Sequence, residues 1–443
     1  MFWIEFILVI GAIFIGARLG GIGLGVMGGM GLIILTFVFG LQPTAPPVDV
    51  MLMIISVITA ASCLQAAGGM DYLVSIAENI LKKNPKRITF YAPLVTYTFT
   101  LFAGTGHVAY SVLPVIAEVA TKTKVRPERP LSIAVIASQQ AITASPISAA
   151  TVALVALLSS QGIELIDILM ICIPSTICGV LVGALSVNKM GKELEKDPEF
   201  IEKMKDPEFV KALFDEKSEK EETKTIDKKA KISVALFLFA AISVVFFGTF
   251  PELRPSWNID GELIKLGMPA TIEMVMLTIA ALILITSKVN VKAVSNGTIF
   301  KAGSEAVIAI FGIAWMGDTF IKGNYEFISS GIENMVQSAP WTFAIALFIM
   351  SILLYSQAAT IRALMPLGIA LGIPYPFLIA MFPAVNGYFF IPNYPTVVAA
   401  IGFDRTGTTK IGKYVINHSF MRPGLVASFV AIAVGFGLAG ILL

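Results

Sequence analysis

The sequence 356-SQAATIR-362 interrupts an apolar stretch that runs from Trp341 to Gly402, and 391-IPNYPT-396 interrupts it again. The stretch is long enough to cross a bilayer more than once. Arg362 is its only charged residue. A charge at membrane depth is costly, so it usually lines a cavity or a pathway. Two broken helices with one buried cation therefore predict a binding site for an anion inside a membrane.

The composition of the whole chain also indicates a membrane protein. The 443 residues are 56% hydrophobic and 14% charged, a balance that would expose too much apolar surface in water. The charges lie in loops and form no basic stripe, which argues against a nucleic-acid partner. Cys63, Cys172 and Cys178 have neither zinc-ligand spacing nor an even count for a disulfide framework. We expect an all-α integral membrane protein in the lipid bilayer, without metal or cofactor. The absence of a nucleophile motif argues against an enzyme.

Ten apolar runs are long enough to span a bilayer once each. They lie at residues 2–17, 22–41, 48–67, 131–159, 165–187, 232–250, 264–286, 300–321, 376–402 and 420–442. Two further runs, 88–120 and 341–371, break in the middle and predict re-entrant hairpins. If the N-terminus is outside, the loops rich in Lys and Arg all fall inside, and the only basic residues of the outside loops are Arg254 and Lys322. The distribution predicts a multi-pass protein with both termini outside.

The second span contains seven glycines between Gly20 and Gly31. A phosphate-binding glycine loop needs a preceding strand and a soluble domain, and the sequence predicts neither. We expect these glycines to allow close packing between helices.

The two halves of the chain repeat one another. The matched pairs, each 255 residues apart, are Glu78 and Glu333, Asn79 and Asn334, Pro85 and Pro340, Thr105 and Thr360, and His107 and Arg362. In each half, a proline inside a span (Pro146 or Pro392) follows a loop proline by sixteen residues. Five full crossings per half is an odd number, so the halves must run in opposite directions. Inverted repeats with discontinuous helices are typical of transporters, with the site near the midplane.

The repeat divides the chain into three parts. The first repeat is 1–187, with scaffold spans in 1–67, a hairpin at 88–120 and a broken span at 131–159. The second is 232–443, with scaffold spans in 232–321, a hairpin at 341–371 and a broken span at 376–402. Residues 188–231, rich in Lys, Glu and Asp, are expected to be a solvated cytoplasmic linker with some helix. A docking site for a regulatory partner protein is the alternative.

The breaks supply the candidate binding residues. Unwound backbone and helix N-termini present N–H groups to an anion, hydroxyls and amides add hydrogen bonds, and an arginine can hold a carboxylate bidentately. The substrate-binding candidates are Thr105, Gly106, His107, Ser145, Pro146, Ser148, Thr360, Arg362, Asn393 and Thr396. The candidates for a gate or vestibule are Glu78, Arg126, Gln139 and Asn386. Similar donors in two halves fit a ligand with two anionic ends.

Each candidate also has a purely structural interpretation. Arg362 could extend to the outer surface, and His107 could be a hydrogen-bonded core histidine. Ser145 and Thr105 could serve only to bond helix carbonyls. The remaining alternatives are surface charge for Glu78 and Glu333, structural amides for Gln139, Gln140 and Asn386, and a topological role for Arg126 and Arg129.

Eight further stretches carry a family resemblance. They are Gly16–Ile22, Pro46–Met51, Leu64–Gly69, Gly104–His107, Arg126–Pro130, Ser145–Ser148, Leu354–Thr360 and Asp404–Thr409. On these stretches the sequence resembles the anaerobic C4-dicarboxylate transporters of the Dcu type over nearly its whole length. His107 is typical of B-type members, whereas Ile142–Ala149 is typical of A-type members.

The resemblance implies a bacterial inner-membrane carrier for fumarate, succinate, malate and aspartate, commonly run as fumarate/succinate exchange. It further implies kinship with the ion-transporter superfamily, in which a dimerising scaffold supports a moving elevator domain. We therefore expect a homodimeric antiporter with an elevator mechanism. The alternatives are a symporter coupled to Na+ or H+, an anion channel, and a membrane protein that regulates a sensor through residues 188–231.

Overall fold

The computed structural model describes residues 1–19, 22–46, 48–83, 85–214, 227–259, 262–324, 327, 339–354, 356–392, 394–412 and 417–443. Asn393, Glu333 and Asn334 lie outside these ranges, as does the side chain of His107. The regular secondary structure of the described chain is helical, apart from a two-stranded antiparallel sheet in which Ser256 pairs with Lys265 and an isolated antiparallel bridge between Ile411 and His418.

The α-helices follow the apolar runs of the sequence. They are α1 (Phe2–Leu19), α2 (Gly23–Phe37), α3 (Val48–Ala66), α4 (Gly69–Lys83), α5 (Ile88–Ala103), α6 (Ala109–Lys122), α7 (Glu128–Gln140), α8 (Ala149–Leu158), α9 (Leu165–Val187), α10 (Pro198–Lys203), α11 (Pro207–Phe214), α12 (Lys228–Thr249), α13 (Met268–Ser287), α14 (Val291–Asn296), α15 (Thr298–Gly323), α16 (Thr342–Leu354), α17 (Gln357–Ala370), α18 (Tyr375–Met381), α19 (Pro395–Phe403) and α20 (Met421–Leu442). The strands are β1 (Ser256–Ile259) and β2 (Glu262–Lys265). Short 3₁₀ helices lie at Pro85–Arg87, Gly106–Val108, Ala141–Ala144, Ser159–Gln161, Leu194–Lys196, Pro251–Leu253 and Phe382–Phe389.

Several helices have the length and composition of membrane spans. Within the described residues, five helices qualify, and the α3–α4 pair, bent by 72°, makes a sixth if it is counted as one span. The five are Glu128–Leu158, Leu165–Val187, Lys228–Gly248, Met268–Ser287 and Met421–Leu442. Phe2–Ile13, Gly25–Phe37 and Thr342–Ile352 are shorter apolar helices. The chain is therefore an all-α, multi-pass membrane protein.

The glycines of the second span bring α2 into backbone contact with α15. A Cβ atom on Gly312 would lie 1.8 Å from the carbonyl oxygen of Gly25, and one on Gly28 would lie 2.4 Å from the carbonyl carbon of Gly312. Such contacts are closer than any side chain permits, so the two backbones pack directly. The prediction of close helix packing is confirmed for Gly25, Gly28 and Gly31, whereas Gly29 meets no atom within 4 Å, and Gly20 and Gly21 lie outside the described residues.

Helices of the two halves pack in matched pairs. The helix α2 of the first half packs against α15 of the second, and α3 packs against α13. The helix α9 of the first half lies along α20 of the second. The hairpin arm α5 packs on α7, as α16 packs on Phe382–Phe389. The hairpins also cross between halves, because α6 contacts α19 and α17 contacts α8. Each hairpin thus packs mainly on the broken span of its own half and also contacts that of the other half.

The first part of the polar segment is held against the protein by ion pairs, although most of its residues remain exposed. Arg129 donates to Met190 O at 2.8 Å and to Glu193 Oε1 at 2.8 Å. Arg126 forms ion pairs with Glu128 and with Asp197, and all three side chains are largely buried. Each arginine precedes or begins α7, so their charges fix residues 190–199 (the docked segment) against the end of a broken span. Residues 215–226 lie outside the described part.

The docked segment also reaches the chain that follows the other broken span. Lys410 pairs with Glu199 at 2.6 Å, and Lys203 Nζ donates to Thr406 O at 3.4 Å. Ser419 Oγ donates to Glu128 Oε1 at 2.7 Å. The ends of α7 and α19 are therefore joined through one polar cluster.

Candidate functional site

The tip of the first hairpin is pressed against the first broken span. The hairpin turns at Gly104, which has a φ of 69° and donates its N–H to Thr100 O at 2.8 Å. A Cβ on Gly104 would lie 2.9 Å from Ile147 O, and a Cβ on Gly106 would lie 2.4 Å from Gln139 Nε2. Glycine is therefore needed at both positions, at Gly104 also because of its left-handed backbone. Thr105 lies between them, at the point where the hairpin meets the break.

Two serines at the first break donate hydrogen bonds to backbone carbonyls, one in the hairpin and one in the break. After the 3₁₀ turn Ala141–Ala144 the chain becomes extended at Ser145, whose Oγ donates to Leu101 O of the hairpin at 2.6 Å. Ser148 caps α8 by accepting from Thr151 N at 3.1 Å, and its Oγ donates to Ile142 O at 2.6 Å. Pro146, between the serines, carries no N–H of its own. The hydroxyls of Ser145 and Ser148 thus both donate to backbone carbonyls of the protein. For Ser145 this agrees with the alternative that it serves only to bond helix carbonyls.

The second hairpin turns in a similar way. Ser356 caps α17 by accepting from Ala359 N at 3.2 Å. The buried Thr360 hydroxyl donates to Ser356 O at 2.8 Å, so its proton serves the first turn of its own helix. Both contacts stabilise a helix start deep in the apolar part of the protein, where free N–H groups are costly.

The second broken span contains a buried polar group that has no described hydrogen-bond partner. The 3₁₀ helix Phe382–Phe389 has a non-helical backbone at Asn386, with φ −98° and ψ 26°. The helix α19 begins at Pro395, and Tyr394 at its N-cap makes no side-chain capping bond. Thr396 is 2% exposed, and no described group forms a hydrogen bond with its Oγ1. This helix start combines a favourable dipole with an unused hydroxyl, which suits an anion.

A buried chain of amide side chains connects the hairpins and both breaks. Gln357 Nε2, at the tip of the second hairpin, donates to Gln139 Oε1 at 2.9 Å and to Asn386 Oδ1 at 3.2 Å. Asn386 Nδ2 donates to Gln140 Oε1 at 3.3 Å, and Gln140 Nε2 donates to Ser428 Oγ at 3.2 Å. Since the Gln139 amide also contacts the tip of the first hairpin, one side chain touches both hairpin tips.

Arg362 is buried and faces the scaffold helix α15. It is 6% exposed, in a helix that packs against α15 and α8. Asp318 of α15 is near enough for its charge to interact with that of Arg362. The two helices also pass close to one another there, since a Cβ added at Gly317 would lie 3.9 Å from the Cα of Ala363. Arg362 therefore does not extend to the protein surface.

A cavity of about 120 Å³ lies between the first hairpin tip and the scaffold. Thr105, Ile147 and Val152 form one wall, and Ile58 and Gly303 of α3 and α15 form the other. The volume approaches that of cavities of ~150 Å³ that accept benzene-sized ligands. Arg362 and Thr396 are not among its lining residues. The cavity reaches the site from the scaffold side and touches only one of its polar candidates.

Two gate candidates lie away from this region. Glu78 is a half-buried residue of α4 that pairs with Lys82 one turn later, which agrees with its alternative interpretation as a surface charge. Arg126 is held in the polar cluster at the end of α7. Burial opposes ionisation of Asp197, but hydrogen bonds from Arg126 and from Phe200 N hold the pKa of that carboxyl below its usual value. Neither residue faces the cavity.

Three residues of the site were absent from the sequence prediction. Gln357 and Ser428 join the amide chain, and Asp318 lies near enough to Arg362 for their charges to interact. A polar residue within an otherwise apolar helix was the available signal in each case. Gln357 lies in the break at residues 356–362, and Asp318 is an acid within the apolar run 300–321.

The whole chain matches a known protein family. The family described as "Anaerobic c4-dicarboxylate membrane transporter" matches residues 1–443. The C4-dicarboxylate transporter DcuA of Wolinella succinogenes is 45% identical over 99% of both chains. The anaerobic C4-dicarboxylate transporter DcuB of Escherichia coli O6:H1 is 42% identical over 98% of both, and DcuA of Escherichia coli K12 is 43% identical over 100% of both.

One solved structure has the same general fold. MtrF of Neisseria gonorrhoeae, one of a class of antimetabolite efflux pumps, matches with a TM-score of 0.53 over 94% of this chain and 85% of its own. The sequence identity is 12%, so the similarity concerns the fold alone.

Proposed function

The chain belongs to the anaerobic C4-dicarboxylate membrane transporter family, and from this membership we propose that its substrate binds where the two hairpin tips meet the two broken spans. The protein is a multi-pass membrane transporter of C4-dicarboxylates and not an enzyme. The observation that carries the proposal is the position of Gln139, which contacts Gly106 of one hairpin and Gln357 of the other.

An inverted repeat is supported by the contact between Gln140 and Asn386. These residues are 246 residues apart, the same offset that relates Pro146 to Pro392. Positions equivalent under a two-fold axis come into contact only when both lie near that axis. We therefore place the axis beside the Gln140–Asn386 hydrogen bond, with 1–187 and 232–443 as the two repeats. The matched packing of hairpins on opposite broken spans agrees with this arrangement.

The substrate's two carboxylates would use chemically different ends of the site. Arg362 offers a fixed guanidinium that can hold one carboxylate bidentately. The start of α19 offers a favourable helix dipole and the hydroxyl of Thr396, which has no described partner, for the other carboxylate, with Asn393 as a further candidate. Thr105, Gly106 and His107 would close over the substrate from the first hairpin. Fumarate, succinate, malate and aspartate are the substrates that we expect.

Transport would be antiport by an elevator motion. Hairpins and broken spans would move as one unit against a scaffold built from the spans in 1–67 and 232–321, with the scaffold also forming a homodimer. The buried core that contains α5, α6 and α7 extends to Tyr388, Val397 and Phe420 of the other half, which supports a single rigid unit. The Lys- and Arg-rich loops would face the cytoplasm and both termini the periplasm.

Counterflow in proteoliposomes tests the proposal. Purified protein loaded inside with succinate should accumulate labelled fumarate, and Arg362→Gln should abolish this exchange, because one carboxylate loses its counter-charge. Arg422→Gln, at an exposed arginine at the start of α20, is the matched control and should exchange normally. Full exchange by Arg362→Gln would refute the role of Arg362. Flux that shows neither saturation nor trans-stimulation would indicate a channel, and dependence on a sodium gradient would indicate a symporter.

A further inference from the structure

We propose that α4 lies in the membrane interface and that the cations at its carboxyl end bind the headgroups of anionic phospholipids. These cations, the basic patch, are Lys82, Lys83, Lys86 and Arg87, and all four are exposed. The binding is independent of the proposed function, whereas its effect on transport rests on that function.

The chain turns sharply between α3 and α4. The two helices are bent by 72°, and the turn contains Gly68, whose φ of 78° favours glycine. The first residue of α4 lies beside the start of the span α12, because a Cβ on Gly69 would lie 2.8 Å from Ser233 Oγ. After the last residue of α4 a 3₁₀ turn leads into the apolar helix α5, which begins at Ile88. Each end of α4 is thus next to the start of an apolar helix, as expected of a helix that runs along the membrane surface.

The side chains of α4 suit the boundary between lipid and water. Leu81 is buried against the protein, whereas Asn79 is exposed. Between these two faces, Tyr72, Ile80 and Lys83 lie along one side of the helix, because they are eight and three residues apart. Ile80 is 37% exposed. An exposed apolar side chain with tyrosine and lysine beside it is typical of helices that lie at the headgroup level.

The charges of the basic patch are largely uncompensated by the protein. Within the described part of the chain, Lys82 is the only member of the patch that forms an ion pair, and its partner is Glu78. Several exposed cations beside the start of an apolar helix attract the negative surface of an anionic membrane. A free phosphate has the same charge chemistry, but a lipid also covers the exposed Ile80 with its acyl chains. The surface therefore fits an anionic phospholipid.

The position of α4 connects such a lipid to transport. Its first turn contacts α12 of the scaffold, and Leu81 near its end belongs to the buried core that contains α5, α6 and α7. Under the proposed function, α4 is thus the arm that joins the scaffold to the first hairpin. Headgroups would hold this arm at the membrane surface and so keep the hairpin in its correct position. Anionic lipid should therefore raise the rate of exchange.

Thermal unfolding in detergent micelles tests the binding without transport. Phosphatidylglycerol should raise the unfolding midpoint of the wild type more than phosphatidylcholine does, because a ligand of the folded state stabilises that state. Lys83→Gln combined with Lys86→Gln should lose at least about half of this difference. Lys192→Gln combined with Lys196→Gln removes the same charge from exposed positions of the polar segment and should keep the difference. Equal effects of phosphatidylglycerol on the two double variants would overturn the proposal, and so would an equal rise of the midpoint with inorganic phosphate.

Succinate counterflow in vesicles of two compositions tests the effect on transport. Wild-type exchange should be about threefold faster in phosphatidylcholine with about 30% phosphatidylglycerol than in phosphatidylcholine alone. The Lys83 and Lys86 double variant should exchange at the same rate in both vesicles, and the Lys192 and Lys196 control should keep the threefold difference. Equal wild-type rates in both vesicles would refute the role of the lipid in transport. Absence of wild-type exchange in both would instead contradict the proposed function, and the unfolding midpoints would still report whether the lipid binds.

Discussion

Gln140 and Asn386 share a hydrogen bond of 3.3 Å although 246 residues separate them in the chain. Each lies in the broken span of its own half, and each is almost wholly buried. Asn386 also accepts from Gln357 at 3.2 Å, so it connects the contact to the second hairpin. A buried amide network holds a unique arrangement only when all its members are satisfied. The bond therefore joins the two halves at the level of the proposed site.

Replacing Asn386 by Leu should disconnect this network. The change leaves the amides of Gln140 and Gln357 without one partner each, at a cost of about 1–3 kcal/mol for each unsatisfied group. We expect a lower thermal unfolding midpoint in detergent together with a loss of succinate counterflow. Ser428→Ala leaves one amide, that of Gln140, without a partner and should have a smaller effect than Asn386→Leu, which affects two. A normal midpoint and normal exchange in Asn386→Leu would show that the network is dispensable.

Gly106→Ala should block the contact between the first hairpin and Gln139. The new methyl group would lie 2.4 Å from Gln139 Nε2, so one of the two must move. We expect at least about a tenfold loss of exchange, since a displacement of about 1 Å at a site can reduce the rate a hundredfold. The measurement is initial-rate counterflow at saturating external succinate.

A second substitution should rescue this loss. In Gly106→Ala combined with Gln139→Ala the amide is absent, so the methyl group fits and exchange should rise above that of Gly106→Ala alone. Gly402→Ala is the control, because an added Cβ there meets no atom within 4 Å. Equal loss in the single and double variants would place the cause elsewhere.

Thr396→Val should weaken substrate binding without destabilising the protein. The Thr396 hydroxyl is buried without a described partner, so a methyl group in its place should keep or raise the unfolding midpoint. If the hydroxyl contacts the substrate, the half-saturating succinate concentration should rise about tenfold, the equivalent of one charge-assisted hydrogen bond.

Thr360→Val provides the contrasting case. Its hydroxyl donates to Ser356 O at 2.8 Å, so its loss should lower the unfolding midpoint by removing a structural bond. A lower midpoint for Thr396→Val with unchanged substrate affinity would assign Thr396 to the structure and not to the site.

The sequence predicts this fold well wherever the signal is local. The run predicted at 165–187 coincides with Leu165–Val187, and the first hairpin turns at Gly104 within the predicted break. Hydropathy, glycine and proline act on the nearest few residues, so these features can be recognised without knowing the tertiary structure.

Contacts between distant elements could not be predicted in the same way. Whether Gln139 meets Gln357 depends on the rotation and depth of each helix, and hydropathy specifies neither. The polar segment illustrates the same limit. Its composition resembles that of a solvated linker, yet Arg126 and Arg129 lie where they can bind residues 190–199.

The contacts of the docked segment predict how deletions within residues 188–231 should affect the protein, which the composition of the linker does not. Removal of residues 215–226 should spare transport, because the contacts that join α7 to α19 lie outside that range. Removal of 190–226 should destabilise the protein, because Arg126 would lose Asp197 and Arg129 would lose Glu193. Equal thermal unfolding midpoints and equal counterflow for the two deletions would show that the docked segment contributes nothing.

The Arg126–Asp197 pair should also make stability depend on pH. Because folding lowers the pKa of Asp197, its contribution is complete above the unfolded-state pKa of about 3.9 and is lost as the pH falls towards the lower folded value. Asp197→Asn should therefore unfold at a lower temperature than the wild type at pH 7, and the difference should shrink between about pH 5 and pH 3. Glu195→Gln, at an exposed acid that pairs with Lys124, is the control and should change the midpoint little. A difference for Asp197→Asn that stays constant down to pH 3 would mean that the ion pair does not hold the docked segment.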